Sequence, residues 1–480
     1  MRKISTSIFI LTIFSIAASG QSTIQQRIEK VENNLTENLQ ISGPKPLNLQ
    51  QRMSYYKVKG LSIAVIKDYK IDWVKAYGVS DEALKIPVTE KTLFQAASIS
   101  KSINAIGVMK LFKNSNLDLF ADINTYLSSW KFPYDSLSKG KKINTANLLS
   151  HTAGLSVHGF AGYESGLPLP STVQILNGEG PANSDPVRSL FEPGIRQQYS
   201  GGGTTITQLM VTDLSKQSYE QYMEKEVLKP LGMSNSTFAQ PPKLVKSGLL
   251  ATGYKSDGVE VKGKYHIYPE QAPAGLWTNP TDLAKYIIET QLAYAGKSAK
   301  VLDQTSTKLR LTPYQNENSA LGVFVEDYNG TKYFGHGGSN DGFQSGYYGS
   351  FEGGNGLVIM VNSDNGQIIQ ELINSIATVY NFVGLNKSTV LKTVDVEEKV
   401  LDTYLGNYQL TAALVLTITR EGKQIYGQAT GQPRFEVYAE TDTKFRYKDF
   451  PASMEFIKDE QGKVNKMIFI QGATIEAKKL

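Results

Sequence analysis

The sequence predicts an α+β unit whose sheet is built from chain-distant halves, followed by a small all-β domain. Strand-like runs stand early, at Leu61–Lys67 and Ile71–Tyr77. They return late, at Leu321–Tyr328, Lys332–His336, Gly342–Ser350 and Leu357–Asn362, with helical stretches between. Strands at both ends around a helical middle give one sheet with helices packed on it. The last 80 or so residues alternate apolar and polar positions at strand period.

The elements follow in chain order. Arg2 and Lys3 precede an apolar run from Ile8 to Ala18 and then Ser19 and Gly20, so residues 1–20 read as a secretory signal peptide. That run is too short to span a membrane comfortably. Export to a periplasm or the medium follows, with no stable membrane span once the signal is removed. Ile24, Ile28, Val31 and Leu35 give residues 21–39 a helical period. The runs at Leu61–Lys67 and Ile71–Tyr77 read as a hairpin across Asp68-Tyr69-Lys70. An amphipathic helix is expected from Ser98 to about Asn114, and another helix starts at Thr281-Asp282-Leu283 behind Pro280. Gln367–Val383 closes the unit as a helix. The expected domains are 21–385 and 399–480, joined by a polar linker over 386–398. In the last domain, turns are expected at Glu421-Gly422 and Gln461-Gly462.

Composition removes several functions. The chain has 50 Lys+Arg against 45 Asp+Glu over 480 residues, with no long basic block, so nucleic acid is not an expected partner. It has no Cys and 4 His in no tight cluster, which excludes thiolate chemistry and argues against a metal site. No cofactor is expected. Nothing in the sequence sets the oligomeric state.

Ser98-Ile99-Ser100-Lys101 is an S-x-x-K motif. On a helix, positions i and i+3 share a face, so the Ser98 hydroxyl and the Lys101 amine can meet. A buried amine there can take the hydroxyl proton and activate the oxygen as a nucleophile. The Ser98 N–H at a helix start can serve as an oxyanion donor. The pattern alone is unspecific, since Ser54–Lys57, Ser128–Lys131, Ser136–Lys139 and Ser138–Lys141 also match it. Only Ser98 follows a small, apolar, extended stretch and opens a long helix. Taken singly, Tyr199 and His336 read as an anchoring aromatic and a strand histidine, Gly201–Gly203 as a tight turn and His151 as structural.

Phe94–Lys101 (F-Q-A-A-S-I-S-K) resembles the nucleophile segment of class C β-lactamases and related penicillin-recognising serine hydrolases. Leu148–Leu155, Pro193–Gly203, Leu228–Phe238, Ala274–Ala284 and Gly335–Gly338 resemble further motifs of that group, in the right order. The resemblance covers about residues 45–385. The C-terminal part resembles the lipocalin-like β-domain of some members. This implies a β-lactamase/transpeptidase-like antiparallel sheet flanked by helices, with a helical subdomain. It implies Ser98 as the acylated nucleophile, Lys101 as its base and Tyr199 as proton shuttle. The N–H groups of Ser98 and Ser339 would form the oxyanion hole, and Gly201, His336, Gly337 and Gly338 would contact substrate.

Two positions depart from the pattern. Tyr-x-Asn is here Tyr199-Ser200-Gly201, and the Lys of the last motif is His336. Both point away from an efficient β-lactamase, toward the branch with D-amino-acid peptidases, amidases and esterases. The expected partner is a small-molecule or peptide substrate. Two alternatives stay open: a β-lactamase or DD-peptidase-like penicillin binder, and a non-catalytic binding module that kept the fold.

Overall fold

Asp68 and Tyr69 both adopt left-handed backbone conformations, the requirement of a two-residue hairpin turn. Lys67 pairs with Lys70 across it, so the turn is one residue shorter than the sequence reading. The computed structural model describes residues 23–480 apart from 42, 44, 243–248, 412, 413, 449 and 451. The expected signal peptide lies outside the described residues.

The hairpin strands are β1 (Gly60–Lys67) and β2 (Lys70–Asp81), with the short β3 (Ile86–Pro87) beside β2. The late strands are β4 (Phe324–Tyr328), β5 (Thr331–Asn340), β6 (Phe343–Ser350) and β7 (Gly356–Val361). They form one sheet in the order β3-β2-β1-β7-β6-β5-β4. Every pairing is antiparallel, and β7 joins the halves through Leu357↔Val65 and Ile359↔Ile63. Residues 61–66 and 356–361 are buried on both faces, so these strands read as continuous apolar runs.

Helix α1 (Ser100–Asn114) lies in the centre of the unit. It is buried nearly all round, including Lys101, Ser102 and Asn104, so the expected amphipathic stripe is not there. The helices α2 (Gly201–Ser215) and α3 (Pro280–Tyr294) share its core, through Ile206, Met210, Leu283 and Ile287. Asn279, not a residue of the Thr281 segment, caps α3: its Oδ1 accepts the Asp282 N–H at 2.9 Å, with Pro280 in the first turn. Helix α4 (Gln367–Tyr380) ends where Asn381 turns left-handed, before the expected Val383.

The N-terminal helix covers 23–32 and stops short of Leu39. Leu39–Ile41 is instead a strand, paired in parallel with Thr389–Leu391. Residues Asn33–Leu47 consequently belong to a second unit with Asn386–Leu480, and the segment read as a plain linker carries a strand and the start of a helix, Glu398–Tyr404. The second unit is a closed eight-stranded barrel. Its strands are β8 (Gly406–Thr411), β9 (Leu414–Glu421), β10 (Gln424–Ala429), β11 (Arg434–Ala439), β12 (Lys444–Tyr447), β13 (Ser453–Lys458), β14 (Val464–Gln471) and β15 (Ala473–Lys479). Each strand pairs with the next, and β8 closes on β15. Side chains fill its interior, among them Tyr404 stacked on Phe456 at 4.2 Å between ring centres.

Candidate active site

The chain reaches Ser98 along a short strand, Phe94–Gln95, paired with Trp277–Thr278. Residues 273–276 then clamp the turn that follows. The Ala96 N–H donates to Leu276 O at 2.8 Å, and the Leu276 N–H donates to Ser100 Oγ at 3.0 Å. Ala97 is held left-handed at φ +49°, a costly conformation for a residue with a Cβ. Ser98 therefore sits in a tight 3-10 turn (Ala97–Ile99) ahead of α1, rather than in the helix itself. Its side chain is partly exposed, and that of Lys101 is buried.

Lys101 Nζ lies 3.0 Å from Ser98 Oγ and donates to Pro273 O at 2.9 Å. It also stands 4.9 Å from the centre of the Tyr199 ring. In the four other S-x-x-K matches the lysine amine does not bond the serine hydroxyl: Lys57, Lys139 and Lys141 meet Ser54, Ser136 and Ser138 only through backbone turn bonds, and Lys131 Nζ donates to the carbonyls of Asn124 and Leu127.

Tyr199 stands two residues before α2, next to its capping residue Ser200, and its neighbours fix it. Ser200 caps the helix by accepting the Gly203 N–H at 2.9 Å, and its hydroxyl donates to Ser156 O at 2.6 Å. Gly201–Gly203 form the first turn of α2. The Ser200 N–H donates to Nδ1 of the buried His151 at 3.2 Å. The His151 ring packs 4.2 Å from that of Tyr199, so His151 braces the tyrosine. Burial pushes the His151 pKa well below the usual imidazole range, helped by the nearby Lys101.

The fourth wall is the edge of β5. Strand β4 pairs no further than Phe324↔Gly335, which leaves His336–Asn340 unpaired on that side. In the β5–β6 hairpin Asn340 pairs with Phe343 across a two-residue turn, so the backbone groups of Gly337 and Ser339 point away from β6, to the open edge. Gly338 is in contact with the Ala96 carbonyl and Ser345 Oγ, which leaves no space for a side chain. His336 is buried, and burial together with the Lys101 charge lowers its pKa to about 3. These segments enclose a cleft of about 940 Å³ containing Ser98, Lys101, Tyr199, His336, Gly337, Gly338 and Ser339.

Gly201 is the one named site residue that does not line the cleft. A Cβ there would come 3.0 Å from the Phe160 ring and 3.1 Å from His158 O. The Phe160 ring and the His158 carbonyl thus abut position 201, where the family pattern carries an amide side chain. Sequence reasoning missed Phe160 and the Pro273 carbonyl, because neither belongs to a motif by residue type. Among the described residues no group of three or more His, Cys, Asp or Glu is arranged to hold a metal ion.

The Beta-lactamase family model matches residues 47–375, and that of a domain of unknown function, DUF3471, matches residues 392–479. Protein flp of Staphylococcus aureus (strain N315) is 24% identical over 373 residues, covering 75% of this chain and 69% of its own length. A beta-lactamase of Pseudomonas fluorescens is 29% identical over 277 residues, 58% of this chain and 71% of its own. The octameric penicillin-binding protein homologue from Pyrococcus abyssi shares the fold, with a TM-score of 0.62 at 22% identity over 90% of this chain and 98% of its own. The penicillin binding protein from Bacillus halodurans gives 0.55 at 19% identity over 69% of this chain and 98% of its own. The family match spans the sheet from its first strand to its last together with the Ser98 turn, and by it this chain belongs to the beta-lactamase family, a family of serine hydrolases that work through an acyl-enzyme.

Proposed function

We propose that this protein is an exported serine hydrolase that cleaves an ester or an amide, D-amino-acid peptides included, through an acyl-enzyme on Ser98. The observation that carries the reading is the 3.0 Å contact between Ser98 Oγ and a buried Lys101 Nζ inside a cleft large enough for a substrate. Lys101 takes the Ser98 proton as Oγ attacks the scissile carbonyl. The N–H groups of Ser98 and Ser339 receive the developing oxyanion; the unpaired β5 edge beside the Ala96–Ser98 turn supports this. Tyr199, with its ring against Lys101, hands a proton to the leaving atom and later takes one from the deacylating water. Export rests on the basic start and apolar run of residues 1–20. Among the described residues no helix is long and apolar enough to cross a membrane.

A penicillin-hydrolysing or penicillin-binding role is the weaker reading. A carboxylate-bearing substrate would meet the neutral His336 where a permanent cation is usual, and Gly201, with no amide, where an Asn is usual. The test is a panel of p-nitrophenyl esters, D-amino-acid amides and penicillins on wild type, Ser98→Ala and Tyr199→Phe. Ser98→Ala should lower turnover about 10⁴-fold or more. Tyr199→Phe should lower kcat far more than it raises KM. Wild-type turnover in Ser98→Ala would end the proposal, and preferential hydrolysis of penicillins would promote the weaker reading.

A further inference from the structure

Phe160 is an aromatic ring that the core does not use. It lines the cleft and is partly exposed. It belongs neither to the buried core of the unit nor to the apolar side chains packed against that core. One side of the ring abuts Gly201, where a Cβ would come within 3.0 Å of it. The other phenylalanine of the wall, Phe324, is engaged, with its ring 6.4 Å from Tyr199 and 5.2 Å from His336 between centres. Among the described residues the ring contacts of the cleft join Tyr199, His151, His158, Phe324 and His336, and none includes Phe160.

The loop that carries it is fixed on both flanks. Before Phe160, the Gly202 N–H donates to Val157 O and the Gly201 N–H to His158 O, each at 3.0 Å. The His158 ring lies 4.9 Å from that of Tyr199. Val157 is held left-handed at φ +60°, a costly conformation for a β-branched residue. After Phe160, His266 Nδ1 donates to Ala161 O at 2.9 Å. Gly162 follows, left-handed at φ +73°, with no space for a side chain against Tyr268 and His266. Strain of this kind persists only where the surroundings over-determine it. Its outcome here is one ring presented to the cleft by the loop that also packs on Tyr199.

We infer that Phe160 is a specificity residue, and that the substrate carries an uncharged, apolar, planar group that packs on the exposed part of its ring. The inference rests on the hydrolase reading above and adds the chemistry of one group of the substrate. An aromatic or other flat apolar group gains both by leaving water and by ring-on-ring geometry. A cation can also sit on a ring face. Here, however, Lys101 is the one charged side chain among the described lining residues, so a cation would meet like charge with no lining Asp or Glu to offset it. The lysine is itself engaged by Ser98 and Pro273.

Three phosphorofluoridate diesters test this: dimethyl, bis(2-methoxyethyl) and dibenzyl. Each carries two identical organic groups, so one of them reaches Phe160 whichever side of the scissile bond the ring serves. The rate of Ser98 phosphorylation is read by intact mass of the protein and divided by the rate of the same compound with hydroxide. The inference expects the dibenzyl compound to react about 5- to 30-fold faster than the dimethyl one, with the methoxyethyl compound within about twofold of dimethyl. Phe160→Ala, with Phe160→Thr in parallel and melting curves to confirm folding, should bring the dibenzyl ratio to within about twofold. Phe160→Tyr keeps the ring and should keep the ratio. Equal wild-type rates for the dibenzyl and methoxyethyl compounds, with labelling on Ser98, overturn the inference and leave the hydrolase reading standing. So does a dibenzyl preference that survives in the folded Ala and Thr variants, or one lost equally in Phe160→Tyr. No adduct on Ser98 with any of the three overturns the hydrolase reading, and the inference with it.

Discussion

Gly338 lies directly against the carbonyl of Ala96, two residues before Ser98, and a Cβ at position 338 would overlap that oxygen. The strand edge and the nucleophile turn are thus held together by the absence of a side chain.

Gly338→Ala should push β5 away from the Ser98 turn and slow labelling of Ser98 by a fluorophosphonate about 100-fold, the effect of moving reacting groups by about an ångström. The next glycine is the control for folding. A Cβ at Gly337 meets nothing closer than Ser345 O at 3.8 Å, so Gly337→Ala should melt within about 2 °C of wild type. Equal labelling in Gly338→Ala would mean that the edge is not positioned by this contact.

Restoring the family's amide at Gly201 should fail. Gly201→Asn must displace the Phe160 ring and should cost about 1–3 kcal/mol in a denaturant melt, as overpacking does. Adding Phe160→Ala should recover most of that loss. A Gly201→Asn protein as stable as wild type would show that the ring yields freely.

The strained Ala97 gives a third expectation. Glycine adopts φ +49° without a Cβ penalty, so Ala97→Gly should keep or raise stability by up to about 1 kcal/mol. Ala97→Val should lower it by about 2 kcal/mol or more and slow Ser98 labelling. Equal behaviour of the two variants in melting and labelling would contradict the strain.

Glu270 and the buried histidines set the pH dependence in opposite senses. The Glu270 carboxyl is buried with neither oxygen hydrogen-bonded, and burial raises its pKa from 4.5 to about 8. Between those values the folded chain holds a proton the unfolded chain has released, so this contribution is lost as pH rises. Glu270→Gln should remove that loss, and its melting temperature should gain on wild type from pH 5 to pH 8.5. The lowered pKa values of His336 and His151 act the other way: below the ordinary imidazole value of 6.5 the unfolded chain binds protons first, and stability falls as the solution is acidified. A constant difference between Glu270→Gln and wild type across that range would contradict the buried neutral acid.

Sequence made the side chains of the proposed reaction legible because their chemistry depends on residue type. Ser98, Lys101 and Tyr199 were named from it for their functional groups, and the structure brings them into one cleft with His336 and Ser339. The strand runs were legible as well, since β1 and β5–β7 are short apolar or alternating stretches bounded by turns. What stayed hidden works through the backbone or through distant packing. Pro273 acts by its carbonyl, and Phe160 acts by filling space from a loop 41 residues before Gly201. Helix α1 looks amphipathic in isolation, but its surroundings bury it nearly all round, and periodicity cannot report that. Leu39–Ile41 reads as the end of a helix until Thr389–Leu391 supplies a strand partner some 350 residues later.

The central claim is that Lys101 activates Ser98. The direct measurement is the intact mass of the protein before and after a fluorophosphonate, with Ser98→Ala and Lys101→Ala alongside. A single adduct on wild type, absent from Ser98→Ala and strongly slowed in Lys101→Ala, is the predicted result. An unlabelled wild type, or an adduct that persists in Ser98→Ala, would contradict it.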